Sequence, residues 1–319
     1  MRALVTGGAG AIGSHVVDAL LTRGDEVAVL DSFHPFYPRA LKEDNLAQAL
    51  SAAGFLGLYE GDIRDPAFVR KTFHEVRPDV LFHLAARAGV RPSVTAPVDY
   101  VDVNVTGTAV VVAEASALPV SSIVFASSST VYGEEAQSPF QESSEGGKPL
   151  SPYGATKRSG ELLCYAMHLA SQVPTTCLRF FSAYGPRQRP DLAIACWAAA
   201  MRQGRPIPVF GDGSFERDFT YVSDVVDGVL RAGDRARGFH VYNVGRGQPF
   251  SMNRIIALLE RELGVEARRE VHPAHPADMP RTFASIERAR KELGYEPVVE
   301  LEEGIRRYVE WLTVKKEVT

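Results

Sequence analysis

Tyr153 and Lys157 stand four residues apart in the run Tyr-Gly-Ala-Thr-Lys, a spacing that sets a phenol and an ammonium on one face of a helix. A phenol with an ordinary pKa of about 10 is a poor base near neutrality. A neighbouring ammonium and an oxidised, positively charged nicotinamide both favour its phenolate form, which can then take a proton from an alcohol. Such a pair arises by chance in many helices, so its context decides. Ser128 lies in Phe125-Ala126-Ser127-Ser128-Ser129-Thr130-Val131-Tyr132-Gly133, directly after an apolar run. A hydroxyl from that loop can share the hydrogen bond of a substrate alcohol with Tyr153. Taken alone, the loop reads equally as a serine-rich turn.

A second constellation handles anions. Gly7, Gly10 and Gly13 lie in Thr6-Gly7-Gly8-Ala9-Gly10-Ala11-Ile12-Gly13, after one apolar run and before a helical pattern of Val16, Val17, Leu20 and Leu21. Glycines at those steps permit a tight turn, close approach to a pyrophosphate and close helix–strand packing. The helix start adds N–H groups and a positive dipole end. Asp31 closes the next apolar run, 18 residues after Gly13. A carboxylate there accepts hydrogen bonds from a ribose diol and repels a 2′-phosphate, which favours NAD over NADP. Asp62, after the third run, reads either as an adenine contact or as a solvated turn residue or helix cap.

The elements that must hold these residues follow from the apolar pattern. Short β-branched runs at 3–6, 27–30, 55–60, 80–83, 122–126 and 175–180 alternate with helical patterns, which argues for βαβ units and a parallel sheet. A loop rich in Ser, Glu, Gly and Pro (137–152) precedes a helix that begins at Tyr153. The fold class expected is α/β, a Rossmann-type doubly wound parallel sheet with a smaller C-terminal substrate lobe. Residues 1–180 would form the NAD-binding part, with segments returning to it at about 220–245. Residues 181–219 and 246–319 would form the substrate lobe, whose Pro- and Gly-rich stretches suit closure over a ligand.

Bulk properties narrow the function class. With 319 residues, 45% of them hydrophobic, the chain can bury a substantial core. A formal charge of −4 supplies no global attraction to nucleic acid or anionic lipid, so any anion site is local. The N-terminal run is too short for a secretory signal, and no apolar stretch is long enough to span a bilayer. Cys164, Cys177 and Cys196 are scattered without metal-ligand spacing and read as free thiols of a cytoplasmic protein.

Taken in order, these motifs resemble the extended short-chain dehydrogenase/reductase family, specifically its nucleotide-sugar epimerases and dehydratases. The likeness runs through the Gly7–Gly13 turn, Asp31, Asp62-Ile63, His83-Leu84-Ala85-Ala86, Asn104, Ser128, Tyr153 with Lys157, Arg217-Asp218-Phe219 and Asp278. It implies NAD kept bound through turnover and commonly a homodimer, here formed by helices near 99–117 and 153–170. It also implies that Ala11, Ile12, Ser32, Ile63, Leu84, Ala85, Ala86, Asn104 and Tyr184 join the cofactor site.

The resemblance sharpens the reaction. Sugar dehydratases of this kind carry Asp-Glu where Ser129 and Thr130 stand, and UDP-glucuronate decarboxylases place Glu at the position of Thr130. Hydroxyls at both positions point instead to 4-epimerisation. The segments at 85–93, 179–191 and 217–221 look most like UDP-glucuronate 4-epimerases, in which small hydroxyl residues hold the sugar carboxylate; Ser129, Thr130 and Ser182 match. Arg187 and Arg189 are either anion contacts or exposed loop arginines. Arg217 and Arg281 would grip the diphosphate and Asp278 the uridine ribose. Two departures, Ala284-Ser285 for the usual Ala-Asp and Ala277 for a usual Gly, fall in that nucleotide loop. The alternatives are a UDP-glucose or UDP-N-acetylglucosamine 4-epimerase, then a UDP-glucuronate decarboxylase or a sugar dehydratase.

Overall fold

The computed structural model describes residues 1–134, 137–144, 147–274 and 279–318. Its first half alternates β1 (Arg2–Thr6), α1 (Ala11–Arg23), β2 (Glu26–Asp31), α2 (Arg39–Leu46), β3 (Phe55–Glu60), α3 (Pro66–Val76) and β4 (Val80–His83). There follow α4 (Val90–Thr95), α5 (Pro97–Val101), α6 (Thr108–Ser116), β5 (Ser122–Ser128), α7 (Pro152–Ser171) and β6 (Thr175–Phe180). The second half opens with β7 (Ser182–Tyr184), α8 (Ala193–Arg202), β8 (Ile207–Phe210), β9 (Glu216–Tyr221), α9 (Val222–Asp234) and β10 (Phe239–Val244). It ends with β11 (Pro249–Ser251), α10 (Met252–Leu263), β12 (Arg269–His272), β13 (Arg281–Thr282), α11 (Glu287–Leu293) and α12 (Leu301–Val318).

Strands β10, β6, β5, β4, β1, β2 and β3 form one parallel sheet in that order. A parallel sheet between two helical layers is buried on both faces, which is why its strands read as near-continuous apolar runs. Side chains still alternate. Ala3, Val5, Val27 and Val29 face a core shared with α1 and α9, whereas Leu4, Ala28 and Leu30 face one shared with α3, α6 and α7. Strand order reverses at β1, with β2 on one side and β4 on the other. A doubly wound sheet opens its ligand crevice at the carboxyl ends beside such a switch point.

In the second half, β9 pairs in parallel with β7 and β13 and antiparallel with β11, while β8 pairs with β12. Helix α9 then packs on α1, and β10 becomes an edge of the main sheet beside β6. Asn243 of β10 joins the regions. Its amide donates to the carbonyls of Phe140 (2.8 Å) and Ser285 (3.0 Å), and its side-chain oxygen accepts the Tyr132 hydroxyl at 2.6 Å. Among the described residues, no helix is long and apolar enough to cross a membrane.

Two local features were not visible in the apolar pattern. Segment 102–107, between α5 and α6, is a π-helix, a widened turn found mostly at functional positions. Strand β5 also runs on through Ser128 before a 3₁₀ turn at Ser129–Val131. Helix α7 starts at Pro152, one residue before the expected Tyr153. The Ser151 hydroxyl accepts the Gly154 N–H at 3.1 Å and Pro152 occupies the first turn, a strong start signal that sets Tyr153 in that turn.

Candidate active site

A cleft of about 600 Å³ lies at the carboxyl ends of the central strands. One end of it is built on the β1–α1 turn. Gly7 takes φ +72°, and a Cβ there would come within 2.7 Å of the Ala85 backbone. A Cβ on Gly13 would meet the Gly7 carbonyl oxygen at 2.1 Å. Gly10 caps α1 without a side-chain hydrogen bond, so Ala11, Ile12 and Gly13 bring first-turn N–H groups to the cleft wall. This is a backbone anion cradle. The buried Asp31 carboxylate accepts the N–H groups of Ala9 (3.0 Å) and Phe33 (2.8 Å) and keeps lone pairs for a diol. Ser32, Ile63, Leu84, Ala85 and Ala86 line the same end. Asp62 lines it too, and hydrogen bonds from Arg64 hold its carboxyl below the ordinary range. Backbone donors, a ribose-type acceptor and small side chains at close approach together fit a dinucleotide.

The Tyr153 side of the cleft is assembled from β5 and α7. Lys157 is buried, and its ammonium donates to the Ala126 carbonyl at 2.7 Å. Burial pushes it down to about 8, against the pull of Cys164, Cys177 and Glu161. Burial also raises the Tyr153 phenol; a hydrogen bond with Ser128 and the charge of Arg189 oppose that rise. The sequence suggested that Lys157 would supply the downward pull. It is muted because the lysine is turned onto the β5 backbone. A pair of hydroxyls works in the same direction as Arg189: Thr130 donates to Ser128 at 3.0 Å, and Ser128 faces the Tyr153 phenol. Donors directed at the phenol oxygen favour its ionised form.

Ser129, Thr130 and Ser182 line the cleft with Arg189, whose guanidinium grips Asp191 at 2.6 and 2.9 Å and lies 5.0 Å over the Phe36 ring. Arg217 also lines it, donating to the carbonyls of Glu216 and Met279. Other expected contacts lie elsewhere. Arg187, at φ +62°, donates to Asp18 of α1 at 2.6 Å and is outside the lining. Arg281 lies outside too: the parallel register of β13 sets it opposite Glu216, with which it pairs at 2.9 Å. Asn104 is not a lining residue; it is buried, its side chain bonded to the backbone N–H and carbonyl of Arg87 and to Thr156. Tyr184 lines the cleft, and its hydroxyl donates to the Leu301 carbonyl at 3.3 Å. Asp278 lies outside the described residues.

Residues 3–245 match the model of the NAD dependent epimerase/dehydratase family. The chain belongs to this family. A UDP-glucuronate 4-epimerase of Thermodesulfobacterium geofontis is 38% identical to it over 309 residues, covering 97% of this chain and 95% of that protein. The crystal structure of UDP-glucuronic acid 4-epimerase from Bacillus cereus, in complex with UDP-glucuronic acid and NAD, matches with TM-score 0.92 and 34% identity. That match covers 99% of this chain and 100% of the other. UDP-glucose 4-epimerase from Thermotoga maritima, with UDP-glucose, matches with TM-score 0.91 and 33% identity over 100% of both chains.

This epimerase/dehydratase family chain also brings to the cleft residues that the sequence reading passed over. His34, Tyr37 and Lys42 come from the segment after Asp31-Ser32, and Arg87 from the segment after β4. Arg87 donates to His34 Nε2 at 2.7 Å and lies over the Tyr100 ring. Lys42 donates to the His34 carbonyl at 2.8 Å. The available signal was the aromatic and proline run His34-Pro35-Phe36-Tyr37-Pro38, directly after the ribose-type aspartate.

Proposed function

We propose that the protein catalyses NAD-dependent 4-epimerisation of a UDP-sugar, converting UDP-glucuronate to UDP-galacturonate through a 4-keto intermediate. The observation that carries this reading is the company of Tyr153. Its phenol faces Ser128 in a cleft that Ser129, Thr130, Ser182 and Arg189 also line. Among the described residues, the acids that line the cleft are Asp31 and Asp62, both at the dinucleotide end. Dehydration and decarboxylation would each be expected to use a further carboxylate beside the sugar. The names of the similar epimerases support the same substrate class.

On this reading, Gly7, Gly10 and the first turn of α1 hold the NAD diphosphate and Asp31 its adenosine ribose. NAD supplies a hydride acceptor and donor at the sugar C4. Tyr153 takes the proton of the 4-hydroxyl and later returns it, with Ser128 sharing the bond; such help contributes about 10²–10⁴-fold. Ser129, Thr130 and Ser182 grip the sugar carboxylate. A carboxyl bond held out of line with the 4-ketone π system does not lose carbon dioxide, so the grip protects the β-keto acid. Arg217 would meet the diphosphate, within a sugar-nucleotide lobe assigned to 181–219 and 246–319.

A homodimer belongs to the same reading. Val98, Val101, Leu162, Tyr165 and Leu169, on the adjoining helices α5 and α7, are 46–76% exposed, an apolar surface that a second copy would cover. A cytoplasmic location accords with three free thiols.

The test supplies UDP-glucuronate and follows the product by NMR. UDP-galacturonate is expected; UDP-pentose as the main product overturns the epimerase assignment. The Tyr153→Phe variant should lose about 10²–10⁴-fold in kcat, and activity within a few fold of the parent removes Tyr153 from its role. A UDP-glucose 4-epimerase remains the second reading, favoured by the Thermotoga maritima likeness. Faster turnover of UDP-glucose than of UDP-glucuronate would select it.

A further inference from the structure

Three consecutive residues at the end of β5 are fastened to one face of α7. The Ala126 carbonyl accepts from Lys157 at 2.7 Å. The Ser127 hydroxyl donates to Glu161 Oε1 at 2.6 Å. Ser128 faces the Tyr153 hydroxyl and opposes the rise that burial causes there. Tyr153, Lys157 and Glu161 recur at four-residue intervals, so they share a helix face. Two of these three ties belong to the chemistry already assigned, and the third has no role there.

Glu161 is held unusually firmly for a residue with no part in proton transfer. It is 1% exposed, and Arg179 of β6, itself 2% exposed, binds both its oxygens, Nε to Oε1 at 2.8 Å and Nη2 to Oε2 at 2.9 Å. Arg158 adds a bond to Oε2 at 2.8 Å. Arg179 is anchored in turn over the Tyr132 ring, 4.5 Å from its centroid. A buried ion pair is weak evidence for stability, since well-packed apolar residues of similar volume often do as well; fixing one register among alternatives is its best-attested use. Register matters here because a shift of one residue in β5 would replace Ser128 at the phenol.

We propose that Glu161, clamped by Arg179, is a positioning residue for the reaction: through Ser127 it sets the register of β5 against α7, which fixes the Ser128–Tyr153 hydroxyl pair and keeps a carboxylate one helical turn from Lys157. The inference rests on the epimerase reading. The groups facing Lys157 are His83 from β4, Cys177 from β6, and Cys164 and Glu161 from its own helix. Glu161 is the one carboxylate in that set and favours the ammonium.

The experiment uses the NAD-bound protein as purified and compares Ser127→Ala and Glu161→Gln with the parent on the UDP-sugar it turns over fastest. Ser127→Ala keeps the ion pair, so it should fold normally and lose about tenfold in kcat with KM unchanged, the scale of a small misplacement of reacting groups. Glu161→Gln should lose about tenfold or more in kcat and shift the alkaline limb of its pH profile to lower pH. If that variant does not fold, Glu161→Gln with Arg179→Met removes both charges and should show the same low kcat. Parental kcat in Ser127→Ala overturns the proposal. So does a Glu161→Gln rate loss that tracks only the fraction of folded protein, with the pH limb unmoved. Absence of turnover in the parent with every UDP-sugar would instead count against the epimerase reading.

Discussion

Lys157 keeps its proton only up to about pH 8, because burial opposes its charge more strongly than its neighbours support it. The positive charge that it brings to the cleft floor beside the Ala126 carbonyl therefore fades as pH rises through that value. A pH profile of kcat should show an alkaline limb near 8, and Lys157→Met should abolish the limb while lowering kcat by about 10²-fold or more. A limb that survives the substitution would assign it to another group. The linked effect on stability has the opposite sign. Between about pH 8 and the ordinary lysine value of 10.5, the unfolded chain binds a proton that the folded one has released, so this group's penalty shrinks as pH rises. At this scale the sequence was legible where covalent spacing decides, as in Tyr153 and Lys157, which line one cleft. It was illegible where a long side chain must choose a partner. Nothing in the local sequence tells Arg187 to take Asp18, or Arg281 to take Glu216, while Arg189 stays at the cleft.

At the scale of elements, the β1–α1 turn shows how little space the cradle leaves. A methyl group on Gly13 would lie 2.1 Å from the Gly7 carbonyl oxygen, so Gly13→Ala must push the helix start away from the turn. Overpacking of this kind costs roughly 1–3 kcal/mol. Bound NAD should fall by about tenfold or more, read as the ratio of absorbance at 260 nm to that at 280 nm in purified protein. Parental NAD content would show that the turn tolerates the displacement. The strands of the main sheet were readable because double burial makes them uniformly apolar, and α7 because Ser151 and Pro152 announce its start. The π-helix at 102–107 was not: Asp-Val-Asn-Val-Thr-Gly fits an ordinary helix in composition. What widens it is tertiary. Asn104 reaches out to bond both backbone groups of Arg87 and the Thr156 hydroxyl, contacts that exist only once β4, α7 and this segment have met.

For the whole molecule, the assembly expected of the apolar surface on α5 and α7 is open to direct test. The parent should sediment at twice the mass of the chain, and a variant carrying Leu162→Asp and Leu169→Asp should sediment as a monomer. A parent that is monomeric at micromolar concentration would sink the dimer. The join at Asn243 has a different consequence. One buried amide holds the main sheet, the Phe140 segment and Ser285 together, and Asp218, fully buried, accepts N–H groups from Arg246, Gly247 and Ala284. Moving Ser285 and the Phe140 segment away from the main sheet would strand the Asn243 amide, whereas the Asp218 bonds stay within the second half. That join resists opening behind the cleft, so among the described residues traffic is expected by way of the rim, the His34–Pro38 and Gly185–Leu192 segments, rather than through the body behind them.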